Sequence, residues 1–126
     1  MPLLASFPKP ARIVAALLTD LGTTGGETST TLQDDLPFIR VRRIGGADDR
    51  VTDIARVDVR VYDTNLTAAE DLSETIRQRL ISGPATTVHG VLDRAATEVG
   101  PQEVPGPAPD HYRVVSTTYR VSVRRR

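Results

Sequence analysis

Between Asp53 and Tyr62 apolar and charged residues alternate strictly: Ala55, Val57, Val59 and Val61 fall on one side, Arg56, Asp58 and Arg60 on the other. Period-two alternation is the mark of a strand with one face against a core and one face outside. A second apolar run from Phe38 to Ile44 precedes it, and Gly45-Gly46-Ala-Asp-Asp49 between them supplies turn residues. The pattern predicts an antiparallel hairpin, with strands at about Phe38 to Ile44 and Asp53 to Tyr62.

Two stretches carry helical spacing. The first begins near Pro10, suited to a first helical turn, and places Ile13, Val14, Leu17, Leu18 and Leu21 on one stripe before Gly22. The second follows Thr67-Ala-Ala-Glu70, which reads as a capping box, and sets Ala69, Leu72, Ile76 and Leu80 on one face. Asp71 and Glu74 near its start and Arg77 and Arg79 near its end agree with the helix dipole, and Gly83-Pro84 stops it.

The remaining segments complete the outline. Gly22 to Asp35 is polar and turn-forming without periodicity, and is read as a mobile loop unless a partner orders it. A third strand falls between Thr87 and Val99, with Gly90 as a candidate bulge. Gly100 to Asp110 contains four prolines and reads as a stiff excursion, also a mobile loop. A long last strand runs from Tyr112 to Arg124, with Val115, Thr117, Tyr119, Val121 and Val123 inward. The expected fold is α+β, a single domain over residues 1–126. Its order is α-β-β-α-β-β, with two helices packed on a four-stranded antiparallel or mixed sheet in two layers.

Composition narrows the function. A chain of 126 residues suffices for one core without staples. With no cysteine there is no disulfide framework, no thiolate nucleophile and no cysteine zinc site. Sixteen basic residues balance sixteen acidic ones, which disfavours affinity built on neutralising phosphates. All the basic residues but Lys9 are arginine, a residue suited to interfaces through its planar fork. Aromatic rings are too few for a stacking platform on single-stranded nucleic acid. No apolar run spans a membrane and the first residues lack a basic export-signal start, so the reading is neither secreted nor membrane-spanning.

Candidate chemistry is sparse. His89 and His111 are the two histidines, and neither has metal-ligand spacing. Asp48, Asp49 and Asp53 bunch near the hairpin turn without the pattern of a calcium loop. No serine sits in a nucleophile elbow. A small hydrolase or ligand-binding domain using His89 or His111 with Asp93 or Asp110 is the remote alternative. The reading is therefore a non-enzyme, with no catalytic residue, cofactor or metal. The charged outer side of the hairpin, with Arg40, Arg42, Arg43, Arg56 and Arg60, is either a solvated face or one that pairs with a neighbour.

The hairpin block, together with Asp71-Leu-Ser-Glu-Thr-Ile-Arg-Gln-Arg-Leu80, Gly100-Pro-Gln-Glu-Val-Pro105 and Thr118-Tyr-Arg-Val-Ser-Val-Arg124, resembles the tail terminator proteins of long-tailed phages that infect actinobacteria. The likeness is continuous from about Leu36 to the C-terminus. It implies a virion protein at the head-tail junction, assembled in the host cytoplasm. Such a protein forms a ring, typically a hexamer, on the head-proximal end of the tail tube, stops tube growth and meets the head connector. A head-side stopper of the same junction is the alternative. Implied partners are further copies of the chain, the tube protein and the connector, with DNA only in passage and no membrane. On this reading Arg40, Arg42, Arg43, Arg56, Asp58 and Arg60 are candidates for contacts between subunits. Glu27, Asp34, Asp35, Glu103 and Asp110, on the two loops, are candidates for contacts with tube or connector.

Overall fold

A computed structural model describes residues 6–28, 32–49 and 51–124. The first five residues, where the absence of an export signal was read, lie outside it, as do residues 29–31 of the first predicted loop. In chain order the elements are helix α1 (Pro10–Ala16), strand β1 (Thr23–Gly25), a 3-10 turn (Leu32–Asp35), β2 (Phe38–Asp48) and β3 (Thr52–Asp63). Helix α2 (Leu66–Ile81), β4 (Ala85–Thr87), β5 (Gly90–Val104) and β6 (Arg113–Arg124) follow. The class is α+β, but the sheet has six strands where four were expected, in the order β1-β2-β3-β6-β5-β4. Only β1 runs parallel to its neighbour, β2, so the sheet is mixed.

Both helices lie on one side of the sheet. The alternate residues Ala55, Val57, Val59 and Val61 of β3 and Val115, Tyr119, Val121 and Val123 of β6 pack there against Ile13, Val14 and Leu18 from the first helical segment and Ala69, Ile76 and Leu80 from α2. Thr117, opposite Val59, is buried among them. Burying each large aliphatic side chain contributes roughly 1.5–3 kcal/mol. Arg79 ties the helical layer together: its Nη1 donates to Leu17 O at 3.0 Å and to Asp20 Oδ1 at 2.5 Å. That guanidinium holds the Asp20 carboxyl below the usual carboxylate range.

The hairpin is longer than the pattern predicts. Gly45-Gly46 is not its turn: the register shifts between Arg43 and Gly45, and β2 continues to Asp48. Both glycines have positive φ, and a Cβ at Gly46 would lie 2.2 Å from Ile54 O, so the bulge requires glycine there. The turn itself is held by Asp49, whose Oδ1 accepts from Val51 N at 2.7 Å and Thr52 N at 2.8 Å. Those amide bonds keep its carboxyl below the ordinary range.

Other expectations shift in detail. The first helix ends at Ala16, and its apolar stripe continues through hydrogen-bonded turns that still bury Leu18. Helix α2 is capped by Asn65, whose side chain accepts from Ala68 N at 2.8 Å, and Thr67 lies inside the helix. The segment 22–35, read as loop, contributes β1 to the sheet edge and buries Leu32 in the 3-10 turn. The stretch Gly100 to Val104, read as part of a proline excursion, belongs to β5, with register shifts on both sides of Val99.

Tyr119 is 1 % exposed, and burial raises its phenol well above the ordinary value by disfavouring the phenolate. The stability this confers is complete below about pH 10, where the unfolded phenol titrates, and is lost as pH rises from there toward the folded value. Replacing Tyr119 with Phe should therefore flatten the fall of the thermal midpoint between about pH 9 and about pH 11. Identical slopes for the two proteins would show that Tyr119 carries none of the alkaline sensitivity.

Candidate interaction surface

The face of the sheet turned away from the helices is assembled from four strands. Register sets Arg40 opposite Arg60, Arg42 opposite Asp58, Arg56 opposite Arg120 and Arg60 opposite Ser116. Since cross-strand partners share a face, β2, β3 and β6 bring their charged residues onto one surface. Glu98, at a bulge of β5, reaches the same surface, with Oε1 at 2.7 Å from Arg56 Nη2 and Oε2 at 3.9 Å from Arg120 Nε.

Asp58 is the anchor of this surface. It is 5 % exposed and accepts from Ser116 Oγ at 2.7 Å, Arg60 Nε at 3.0 Å and Arg40 Nη2 at 3.4 Å. A buried carboxylate so surrounded is spent inside the protomer, so Asp58 organises the arginines instead of offering a free charge to a neighbour. Arg42 is aligned differently, donating from Nη2 to Gly26 O at 3.0 Å. Among the described residues Arg40, Arg42, Arg56, Arg60 and Arg120 thus share only Asp58 and Glu98 as acidic partners. The surface has an excess of positive charge, on side chains already held in place.

Arg43 lies apart from this group. It stands opposite Val57, on the helix side, and clamps Asp53 with two bonds of 2.6 and 2.8 Å. Asp53 is 3 % exposed. Two of the three aspartates near the hairpin turn are therefore committed, Asp53 to Arg43 and Asp49 to the turn amides.

The two segments expected to be separate loops meet at one end of the sheet. Leu32 from the first and Val104 and Ala108 from the second join Phe38, Tyr62, Tyr112 and Val114 in a second apolar cluster, with Leu36 packed against it. Tyr62 contacts both Phe38 and Tyr112 edge to face, with ring centroids 6.1 and 5.8 Å apart. This cluster covers the end of the charged face, because Phe38, Tyr62 and Val114 are cross-strand partners on that side. Around it Asp34 and Asp110 are exposed and Asp35 is half-buried, while Glu103 pairs with Arg113 at 2.5 Å. Glu27 is exposed, next to the Gly26 carbonyl that Arg42 engages.

His89 sits in the turn before β5 and His111 in the turn before β6, at opposite ends of the paired strands, and both are exposed. Among the described residues neither imidazole bonds a carboxylate, and Asp93 pairs with Arg124 at 2.8 Å.

Residues 6–126 match the family model of the phage tail termination protein. The chain belongs to that family. A search of curated proteins gives no match. Membership makes the protein a structural component of a phage tail, placed in the virion tail and in contact with other tail and head-junction proteins. No helix among the described residues is long and apolar enough to cross a membrane.

Ser116, Arg120 and Glu98 belong to the charged surface but were not among the residues singled out from sequence. The outward set of the last strand, Ser116, Thr118, Arg120 and Ser122, was readable from its alternation. What sequence lacked was the adjacency of β6 to β3.

Removing the anchor should cost more than removing an arginine it holds. Asp58→Ala leaves Arg40, whose side chain is 16 % exposed, without its carboxylate, and should destabilise by about 2–3 kcal/mol. Arg60→Ala, at a more exposed side chain, should cost no more than about 1 kcal/mol. Urea unfolding measures both, and equal losses would remove Asp58 from its central role.

Proposed function

We propose that this protein forms a ring on the head-proximal end of the tail tube, where it ends tube polymerisation and joins the tail to the head connector. Six copies is the expected number and an actinobacteriophage the expected source. The observation that carries the reading is the match of residues 6–126 to a tail termination family. Its mechanism is binding alone: lateral faces close the ring, and two unlike rims meet tube and connector.

The protomer's geometry supports a division of labour. Its two broad faces are unlike, helices on one side and arginine-rich sheet on the other, as a head-to-tail ring contact demands. Lateral contact is assigned to the sheet face, with Arg40, Arg42, Arg56 and Arg60 presented outward, Asp58 fixing them and Arg43 bracing the hairpin from behind. Exposed ion pairs within one protomer contribute only about 0–1 kcal/mol each, so intramolecular stability gives little reason to gather so many arginines. Contacts with tube or connector are assigned to Glu27, Asp34, Asp35, Glu103 and Asp110. Most of these stand around the end of the sheet where the two loop segments meet.

Reversing Arg56 and Arg60 together to Glu should abolish rings while leaving the circular dichroism spectrum unchanged, because both side chains are substantially exposed. Size-exclusion chromatography with light scattering reads the result. Rings that persist would refute the assignment of the sheet face to lateral contact.

A further inference from the structure

The arginine face raises the question of what covers it. Arg40, Arg42, Arg56, Arg60 and Arg120 stand there with Asp58 and Glu98, and the register adds Arg94, opposite Ser122, and Arg124, opposite Thr52 and paired with Asp93. Yet the chain as a whole carries no net charge. The compensating carboxylates must lie elsewhere on the molecule, and their position is informative. On the opposite side, the solvent surface of α2 presents Glu70, Asp71 and Glu74 in its first half, all exposed. Glu74 is matched by Arg77 at 3.0 Å, but Glu70 and Asp71 make no ion pair among the described residues. Asp63 closes β3 just before that helix. The protomer is thus a slab with a cationic sheet face and an anionic patch on its helical back.

Resting on the ring reading above, we infer that the arginine face of one copy docks on the first half of α2 of the next copy. Arg56, Arg60 and Arg120 oppose Glu70, Asp71 and Glu74 in a heterologous contact that repeats around the ring. A contact between unlike patches on opposite sides of one protomer propagates in one rotational sense and closes when the angle permits. A second copy is the better fit because the chain itself carries the complementary patch, with Glu70 and Asp71 exposed and in no ion pair among the described residues; a basic patch also suits phosphates, so the test below includes duplex DNA. Pairing through the sheet edges is the less suitable route. The edge strands β1 and β4 have only three residues each, and where the edge passes to their neighbours β5 shifts register three times and carries Pro101 while β2 bends at its glycine bulge, all devices that blunt an edge.

The sign of the charge on each side makes the inference testable by exchange. In the full chain, Glu70→Arg with Asp71→Arg should raise the concentration for half-assembly at least roughly tenfold, with the fold intact by circular dichroism. Glu70→Gln with Asp71→Asn should weaken assembly in the same direction and to a smaller degree. Combining the α2 reversal with Arg56→Glu and Arg60→Glu should restore rings, since the two patches then exchange sign. The parent ring should also loosen near 1 M salt, where the screening length falls to about 3 Å. If the parent forms rings that the α2 reversal leaves unchanged, or if the combined variant is not rescued, this docking is wrong while the ring reading stands. If those unaffected rings also retain duplex DNA and lose it on Arg56→Glu with Arg60→Glu, the arginine face belongs to DNA. A parent that stays monomeric at every concentration overturns both the docking and the ring.

Discussion

The pairing of β3 with β6 is the constraint from which the rest of the molecule follows. Their register runs unbroken from Thr52 opposite Arg124 to Asp63 opposite Arg113. Because side chains alternate along a strand, a slip of one residue would carry Val57, Val59 and Tyr119 into solvent and Asp58 into the core. Burial of the helix side therefore fixes the outer side too, and the outer side is where the charges stand. The same hydrophobic force that makes the core sets the positions of the arginines. Asp58 and Ser116 then convert a charged face into an ordered one, since a buried carboxylate with three donors leaves little freedom to the side chains it holds.

Strands with strict alternation were legible in the sequence, and strands defined by their neighbours were not. Ala55 to Val61 and Val115 to Val123 declare their inward sets by period alone, and the structure agrees with each of those residues. Gly45-Gly46 misled because paired glycines suit both a turn and a bulge. The choice was made by Thr52 to Ile54, which β6 pairs and thereby extends the hairpin past the glycines. Thr67-Ala-Ala-Glu70 has the wording of a capping box, yet the chain caps at Asn65, which brings Leu66 onto the edge of the core. Strand β1 has only three residues and no alternation to read, and β2 beside it supplies the reason for its extended form.

The candidate surface divides in the same way. Counting in twos puts Arg40, Arg42, Arg56 and Arg60 on one face, and the same count puts Arg43 on the helix side, where Asp53 receives it, so grouping it with the outer arginines ignores the alternation. The burial of Asp58 depends on Ser116, a residue 58 positions away, so no local pattern announced it. The meeting of the two loop segments over Tyr62 was equally silent, because it comes from apolar residues scattered through segments that look polar. Together these features give a tail structural protein two unlike faces and an end built from converging loops, which is the asymmetry the proposed ring needs.

The central claim is that copies of this chain close into a ring and cap a tail tube. Electron microscopy of the purified protein mixed with its tail tube subunits tests that claim most directly. The account predicts closed rings when the protein is alone, and tubes ending in a single ring at one end when subunits are present. Tubes that grow on without a cap, beside a protein that remains monomeric, would contradict it.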